Sequence, residues 1–218
     1  MLIRLTILPL LLFLTIVSAS RLGAAVSSKR DLANDLEVLY LPKREGVEVL
    51  AFGYKNFLSN VLWIKTISYF GRHYRIDGVY TWLGHMCDLV TALNPRAEHA
   101  YFFCSMMLSW EAGQAQASEA LLTRATQTFP NDWRYRYHRG FNRMNFMHNA
   151  QGAKDDFIAA SIMPNAPVFV ATLASKKLAE LEDPAEAVKF LERIVESTRD
   201  PTERAVLQYK LEKLKSVE

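Results

Sequence analysis

The chain has 218 residues, of which 50% are apolar and 22% are charged, and its formal net charge is +3. This apolar content excludes a disordered chain, and so small a net charge does not indicate a nucleic-acid-binding protein. Two Cys are too few for a disulfide framework or a zinc site, and they are compatible with any compartment.

The N-terminal segment has the pattern of a membrane signal. Residues 5–19 are uncharged, and Arg4 and Arg21 flank them. Their length matches the apolar part of a signal peptide, and small residues after them offer cleavage sites. Extended through Val26, the segment reaches about 22 residues, which is long enough to span a bilayer. We predict a transmembrane anchor or a signal peptide over 1–26, with the anchor favoured, and in either case export of the remaining chain.

A polar linker and two helical segments follow. Residues 27–46 mix both signs of charge and predict a linker. From Val47 onward the apolar residues recur at i, i+3 and i+4, as in a long helix, with Ser59-Asn60 as a candidate break. A polar turn region over 71–78 separates this helix from a second predicted helix over 79–93.

Prolines divide the rest of the chain at nearly equal intervals. Pro95, Pro130 and Pro164 are 35 and 34 residues apart, and Pro201 lies 37 residues further on. A period near 34 is that of a helix–turn–helix repeat, whose units bury their apolar faces by stacking on their neighbours. The predicted helices of these units are 97–112, 115–128, 133–147, 150–162, 166–181, 184–197 and 201–216. No strand pattern occurs in the sequence, so we predict an all-α fold with a helical repeat domain over 47–218.

Residues typical of one repeat family occupy matching places in three units. The second unit has Phe102, Gly113, Ser118, Leu122, Ala125 and Pro130; the third has Tyr137, Gly140, Phe141, Ala159 and Pro164; the fourth has Leu173, Ala174, Ala187, Leu191 and Pro201. On these residues the chain resembles the tetratricopeptide repeat (TPR) family over about 97–201, with a looser unit at 47–95. Its layout is also similar to that of bacterial membrane-anchored TPR proteins of unsettled function. The resemblance implies a right-handed α-solenoid of helix hairpins.

In such a solenoid the first helices of the stacked hairpins line a concave groove. Six side chains are predicted to point into this groove: Phe103, Met107, Trp110, Tyr135, His138 and Asn142. Three neighbours are predicted to be buried: Tyr137, Phe141 and Met144. Aromatic side chains in a groove suit an extended peptide or a helix of another protein. The alternative is that these side chains pack between the repeats.

A basic stripe lies on one predicted helix and consists of Arg136, Arg139 and Arg143, at positions i, i+3 and i+7. A guanidinium donates two parallel hydrogen bonds to a carboxylate or a phosphate, so the stripe suits an acidic partner tail or anionic lipid head groups. The alternative is a solvated face whose arginines pair with acidic residues of neighbouring helices: Asp132, Glu111 or Asp155.

The sequence contains no signature of a catalytic or metal site. Cys87 and Cys104 lie on consecutive predicted helices, and in an oxidising compartment they form a disulfide if their Cα atoms approach within about 7 Å. Otherwise Cys87 is a buried free thiol. The five His are scattered, and neither a nucleophile elbow nor a phosphate-binding glycine loop occurs in the sequence. We therefore expect no metal, no cofactor, no small-molecule substrate and no nucleic acid.

Together these features predict a protein–protein interaction scaffold that is not an enzyme. We expect a single membrane-spanning helix in the bacterial inner membrane and a helical domain in the periplasm, where the scaffold assembles or stabilises an envelope protein complex. One alternative is a permanent accessory subunit of a membrane-associated enzyme complex. Another is a secreted or periplasmic peptide-binding module that is released by signal cleavage.

Overall fold

The computed structural model describes residue 41 and residues 44–216. The predicted anchor or signal peptide over 1–26 lies outside the described residues, and so does most of the predicted linker. Contacts divide the chain after Gly46, and the compact unit Val47–Glu218 contains nearly all of the described residues. The first described helix begins at Arg44, inside the predicted linker.

The described residues are all-α, as the sequence predicts, and no strand occurs among them. In chain order the helices are α1 (Arg44–Leu50), α2 (Lys55–Ile76), α3 (Leu83–Leu93), α4 (Glu98–Trp110), α5 (Ala115–Thr128), α6 (Trp133–Asn145), α7 (Ala150–Ser161), α8 (Val168–Leu181), α9 (Pro184–Ser197) and α10 (Pro201–Lys215). Side chains that accept a hydrogen bond from a backbone N–H cap the starts of α6, α7, α9 and α10: Asp132, Asn149, Asp183 and Asp200. Such caps satisfy donors that lack a partner inside the helix, so these four starts are determined locally.

The first long helix differs from its prediction at both ends. The break lies where Phe52 and Gly53 adopt φ values of 44° and 86°, a left-handed conformation that a helix does not continue, and not at Ser59-Asn60. Ser59 is buried inside α2, and its Oγ donates a hydrogen bond to the carbonyl oxygen of Val90 at 2.9 Å. That partner explains why a serine is tolerated there. The helix then continues through most of the predicted turn region to Ile76.

From α2 onward, each helix packs against the next helix in the chain. Direct contacts also join α3 to α5 and α8 to α10. The helices therefore form consecutive pairs, α2–α3, α4–α5, α6–α7 and α8–α9, and α10 packs against α8 and α9. Pro201 is the first residue of α10, whereas Pro130 precedes α6 in a turn. The fourth proline thus begins a helix and is not equivalent to the other three.

The turns inside three of these pairs share a backbone feature. Gly78, Gly113 and His148 have φ values of 66°, 63° and 52°, and they follow one another at intervals of 35 residues. A residue with positive φ ends a helix and redirects the chain, which glycine does at little steric cost. The turns therefore repeat with nearly the same period as the prolines.

The apolar core of the described residues contains two clusters. The first lies among α3, α4, α5 and the start of α6, and it includes Tyr101, Leu108 and Leu122. Within it Cys87 of α3 and Cys104 of α4 form a disulfide, with 5.9 Å between their Cα atoms. The sequence alone did not decide whether this bridge forms. In the structure it joins the first helix pair to the second.

The second core cluster lies among the last four helices. Its buried side chains include Phe157, Ala174, Phe190 and Leu191, and Leu207 of α10 covers its C-terminal end. Helix α6 packs against α5 on one side and α7 on the other, so it lies between the two clusters.

Gly140 lies where α6 crosses α7. A Cβ atom at this position would come within 2.8 Å of the Phe157 ring and within 3.1 Å of the carbonyl oxygen of Ala153. We therefore expect Gly140→Leu to lower the free energy of unfolding by about 1–3 kcal/mol, because the two helices must separate to admit the side chain. The midpoint of urea unfolding measures this loss.

Gly71 provides the matched control, since it also lies inside a helix. A Cβ atom there would meet no other atom within 4 Å. Gly71→Ala should therefore raise the free energy of unfolding by about 0.5–1 kcal/mol, because alanine is the better helix former. Equal midpoints for Gly140→Leu and the wild type would contradict a close crossing at Gly140.

Candidate protein-binding surface

Aromatic rings on the first helices of successive pairs contact one another. Three such contacts join α2 to α4, α4 to α6 and α6 to α8: Trp63–Phe103 with 5.4 Å between ring centroids, Trp110–Phe141 with 5.7 Å and Tyr137–Phe169 with 5.4 Å. We call these six residues the aromatic face. Because each contact crosses from one pair to the next, the aromatic face follows the stacking direction of the helices.

Trp110 is the most exposed ring of the aromatic face, with 59% of its surface accessible. Its ring lies nearly parallel to that of Phe141, at an interplanar angle of 11°, and Phe146 contacts it edge-on at 5.6 Å. Met106, one turn earlier on α4, is also exposed. Two ring contacts orient the indole, so Trp110 offers a large apolar surface that has little conformational freedom to lose on binding.

A small polar cavity of about 20 Å³ lies beside Trp110, between α4 and α6. In its lining, Ser109 Oγ donates a hydrogen bond to Asn142 Oδ1 at 2.6 Å, and Asn142 Nδ2 donates one to the carbonyl oxygen of Ala115 at 3.1 Å. The volume holds about one water molecule and is far below that of a typical small-molecule site. This part of the surface therefore suits a partner that lies across it.

His138 also lines this cavity. Burial lowers the pKa of His138, and the nearby guanidinium of Arg134 lowers it further. The imidazole is therefore neutral at pH 7, and its ring contacts Phe102 edge-on at 5.7 Å. A neutral imidazole offers a partner one hydrogen-bond donor and one acceptor rather than a charge.

The structure places the six predicted groove residues in three kinds of position. Trp110 is 59% exposed, and His138 is half-buried in the lining of the small cavity beside it. Phe103 and Met107 are half-buried and pack against the first core cluster. Tyr135 and Asn142 are only 0% and 2% exposed, so their predicted place in the groove is wrong.

The reason is the orientation of α6 about its axis, which buries Tyr135, Gly140 and Asn142. Tyr135 fits between Phe102 and Phe129, whose rings stack on it at centroid distances of 4.7 and 5.0 Å. In this orientation Phe141 stacks on the exposed ring of Trp110. All three side chains that were predicted to be buried are half-buried instead: Tyr137, Phe141 and Met144.

Two members of the basic stripe pair with carboxylates of neighbouring helices. Arg139 donates two hydrogen bonds to Asp156, at 2.9 and 2.6 Å, and Arg143 pairs with the same carboxylate at 3.0 Å. Arg143 also pairs with Glu119 of α5 at 2.6 Å, and only 3% of the Asp156 side chain is exposed. These two arginines thus bind carboxylates of α5 and α7, not an external acid and not Asp155.

The third member of the basic stripe takes no part in this network. The Nε atom of Arg136 is buried without a hydrogen-bond partner among the described residues. Arg134, at the start of α6, is exposed instead; its guanidinium lies 4.8 Å from the centroid of the Phe102 ring and pairs with Asp132. A cation over an aromatic ring is attracted by the negative face of the ring.

No protein-family model matches this chain, and no curated protein matches it either. Within residues 44–216, no helix combines the length and the apolar character needed to cross a bilayer. The same residues contain no group of three or more His, Cys, Asp or Glu side chains that is arranged to hold a metal ion.

Proposed function

We propose that this protein is a non-enzymatic scaffold that binds a partner protein through the aromatic face, on the exported side of a bacterial membrane. In this proposal the helix pairs are TPR-like hairpins of a right-handed α-solenoid. Residues 1–26 tether the solenoid to the inner membrane, and the helical domain lies in the periplasm. The partner belongs to an envelope protein complex that the scaffold assembles or stabilises.

Recurring small residues support the solenoid. Where α4 crosses α5, Ser118 Oγ donates a hydrogen bond to the carbonyl oxygen of Ser105 at 2.9 Å. Where α6 crosses α7, Gly140 approaches Ala153. Gly140 lies 35 residues after Ser105, and Ala153 lies 35 residues after Ser118. A contact that recurs at the repeat period is typical of stacked, equivalent units.

The disulfide supports a location outside the cytoplasm. Cys87 and Cys104 are 0% exposed and bridge α3 to α4 in the core. Structural disulfides persist in the periplasm and outside the cell and are rare in the cytosol, where thiols are kept reduced. A scaffold that contains such a bridge in its core is suited to the periplasmic side of a membrane.

The observation that carries the proposal is the exposed and oriented indole of Trp110. Tryptophan is enriched among the residues that dominate protein–protein binding energies. Met106 beside it is a flexible apolar side chain that adapts to a partner's shape. The neutral imidazole of His138 supplies hydrogen bonds at the same place. An apolar segment of a partner protein, extended or helical, fits this combination.

Trp110→Ala should weaken partner binding by at least about 30-fold, the factor that corresponds to a loss of about 2 kcal/mol at an interface hot spot. Because Trp110 is more than half exposed, the variant should retain its helicity and its unfolding midpoint. The measurement is quantitative mass spectrometry of the proteins that co-purify from solubilised native membranes with the wild type and with the variant.

Tyr209→Ala is the matched control, since Tyr209 is 63% exposed on α10 and outside the aromatic face. This variant should keep the wild-type partner. Equal recovery of the partner with both variants would contradict binding at the aromatic face. Unfolding of Trp110→Ala would show that Trp110 is a core residue instead.

Purification separates this proposal from the two alternatives. A scaffold that binds reversibly should lose its partner on dilution, whereas a permanent accessory subunit should co-purify in a constant ratio. A mass measurement of the native N-terminus distinguishes a tethered protein from a secreted module, because an intact 1–30 peptide is incompatible with signal cleavage.

A further inference from the structure

An open pocket of about 500 Å³ lies between two turns, one joining α5 to α6 and the other joining α7 to α8. Five of the residues that line it are Pro130, Asn131, Trp133, Pro164 and Asn165. Its volume is within the range of small-molecule sites, unlike that of the cavity beside Trp110. We call it the turn pocket.

Trp133 is the aromatic wall of the turn pocket. The residue is half-buried, and its ring contacts Tyr137 at 6.0 Å and Phe169 at 6.1 Å, both edge-on. These two contacts orient the indole. Its N–H group has no hydrogen-bond acceptor among the described residues. Trp133 therefore offers a ligand both an apolar ring and a hydrogen-bond donor.

Two asparagines bring amide groups to the same pocket. Asn131 and Asn165 follow Pro130 and Pro164 at equivalent places in successive turns, and both are exposed. Neither side-chain amide forms a hydrogen bond with another described residue. Each amide has a carbonyl oxygen that accepts and an NH₂ group that donates. The pocket thus presents donors and acceptors together, beside an aromatic ring.

The charged side chains of the turn pocket compensate each other. Asp132 and Arg134 both line it, and the guanidinium lies 2.5 Å from the carboxylate. The carboxylate also accepts a hydrogen bond from the backbone N–H of Arg134 at 3.0 Å, which caps α6. Because a cation and an anion are already paired here, the pocket favours a neutral ligand over a charged one.

A neutral sugar ring has the chemistry that these groups recognise. In a β-1,4-linked glucopyranose the ring substituents are equatorial, so C–H groups form an apolar surface on each side that packs on an aromatic ring. Its hydroxyls both donate and accept hydrogen bonds, as the amides of Asn131 and Asn165 do. A proline-rich peptide fits less well. Its prolines have no N–H, so the acceptor oxygens of the pocket would lack donors.

We propose that the turn pocket binds a neutral chain of β-1,4-linked glucopyranose units, with or without acetamido groups. One ring packs on Trp133, and its hydroxyls form hydrogen bonds with Asn131 and Asn165. The pocket is open, so the chain continues beyond it on either side. This inference goes beyond the proposed function, because the ligand is a saccharide rather than a partner protein and the site does not include Trp110.

Titration of the full-length protein with cellotriose and with chitotriose tests the site. The detergent must have no sugar head group, since such a head group would compete. Calorimetry measures the affinity, and saturation-transfer NMR identifies the sugar protons that contact the protein. At least one trisaccharide should bind, and its ring C–H protons should receive the strongest saturation, because they face the indole.

Trp133→Ala should lower the affinity at least about tenfold, because it removes the stacking surface. Asn131→Ala and Asn165→Gly should each lower it by about threefold to tenfold, the usual effect of losing one hydrogen bond. Glycine is the replacement at position 165 because φ is 58° there, a value that glycine adopts without strain. Both asparagines are exposed, so these two variants should fold and decide the question even if Trp133→Ala is unstable.

Asn60→Ala is the matched control, since Asn60 is exposed on α2 and outside the turn pocket. It should bind the trisaccharide with wild-type affinity. Trp110→Ala should do so as well, which separates this site from the proposed partner-binding surface. Absence of binding by both trisaccharides, or unchanged affinity in Asn131→Ala and Asn165→Gly, would overturn the proposal. Binding of tetraproline in place of the sugars would assign the pocket to a peptide instead.

Discussion

Replacing Asp156 with alanine should lower the free energy of unfolding by about 3–5 kcal/mol, the usual effect of removing one partner from a buried ion pair. Only 3% of the Asp156 side chain is exposed, and its carboxylate accepts hydrogen bonds from Arg139 at 2.6 and 2.9 Å. Arg143 pairs with it at 3.0 Å. Without the carboxylate, the hydrogen bonds of Arg139 to described residues are weak ones to threonine hydroxyls, in a largely buried position. Urea unfolding with an unchanged m value measures the loss.

Asp155 is the natural control for Asp156, because it is the adjacent residue and has the same side chain. Its side chain is 63% exposed and pairs only with Lys154, at 3.5 Å, among the described residues. Asp155→Ala should therefore change the free energy of unfolding by less than about 0.5 kcal/mol. Similar losses for the two variants would contradict the proposed burial of the ion-pair network between α5, α6 and α7.

The helices were predictable because their signals are local. Asp132 and Asp183 cap the helices that follow them, and the predicted ranges 115–128 and 184–197 agree with the observed helices. The N-terminal break was missed because it depends on Phe52, a residue that rarely adopts positive φ. Gly53, the next residue, was the available signal, because a glycine commonly follows the end of a helix.

The aromatic face was only partly predictable, because aromatic residues occur on several sides of α6. Tyr135 and Phe141 lie on different sides of the helix, and the apolar character of each ring is compatible with burial. The choice depends on neighbours distant in sequence. Phe102 and Phe129 form the space that Tyr135 fills, and that packing leaves Phe141 beside Trp110. A pattern within one helix contains no information about such a space.

The buried partner of the basic stripe was predictable from the apolar spacing around Asp156. Ala153, Asp156, Phe157 and Ala160 recur at i, i+3, i+4 and i+7, which is the spacing of a buried helix face. An acidic residue within such a face predicts a buried ion pair, since an unpaired charge there is costly. Asp155 lies outside this pattern, on the neighbouring side of α7, so the pattern does not predict a buried ion pair for it.

Loss of the Cys87–Cys104 disulfide should lower the free energy of unfolding by about 3 kcal/mol. The bridge spans a sequence separation of 17 residues, and a cross-link of that length restricts the unfolded chain by about this amount. The double variant Cys87→Ala/Cys104→Ala removes the bridge, and a thiol reductant breaks it in the wild type. Urea unfolding of both proteins, with and without reductant, measures the contribution of the cross-link.

The four measurements separate the cross-link from the packing of the sulfur atoms. Both cysteines are 0% exposed in the first core cluster, so alanine also removes some buried volume. Reductant should lower the midpoint of the wild type and leave that of the double variant unchanged. If reductant has no effect on the wild type, the bridge is absent from the native protein. The strongest support for a periplasmic location would then be lost, because without the bridge two buried thiols are equally compatible with the cytosol.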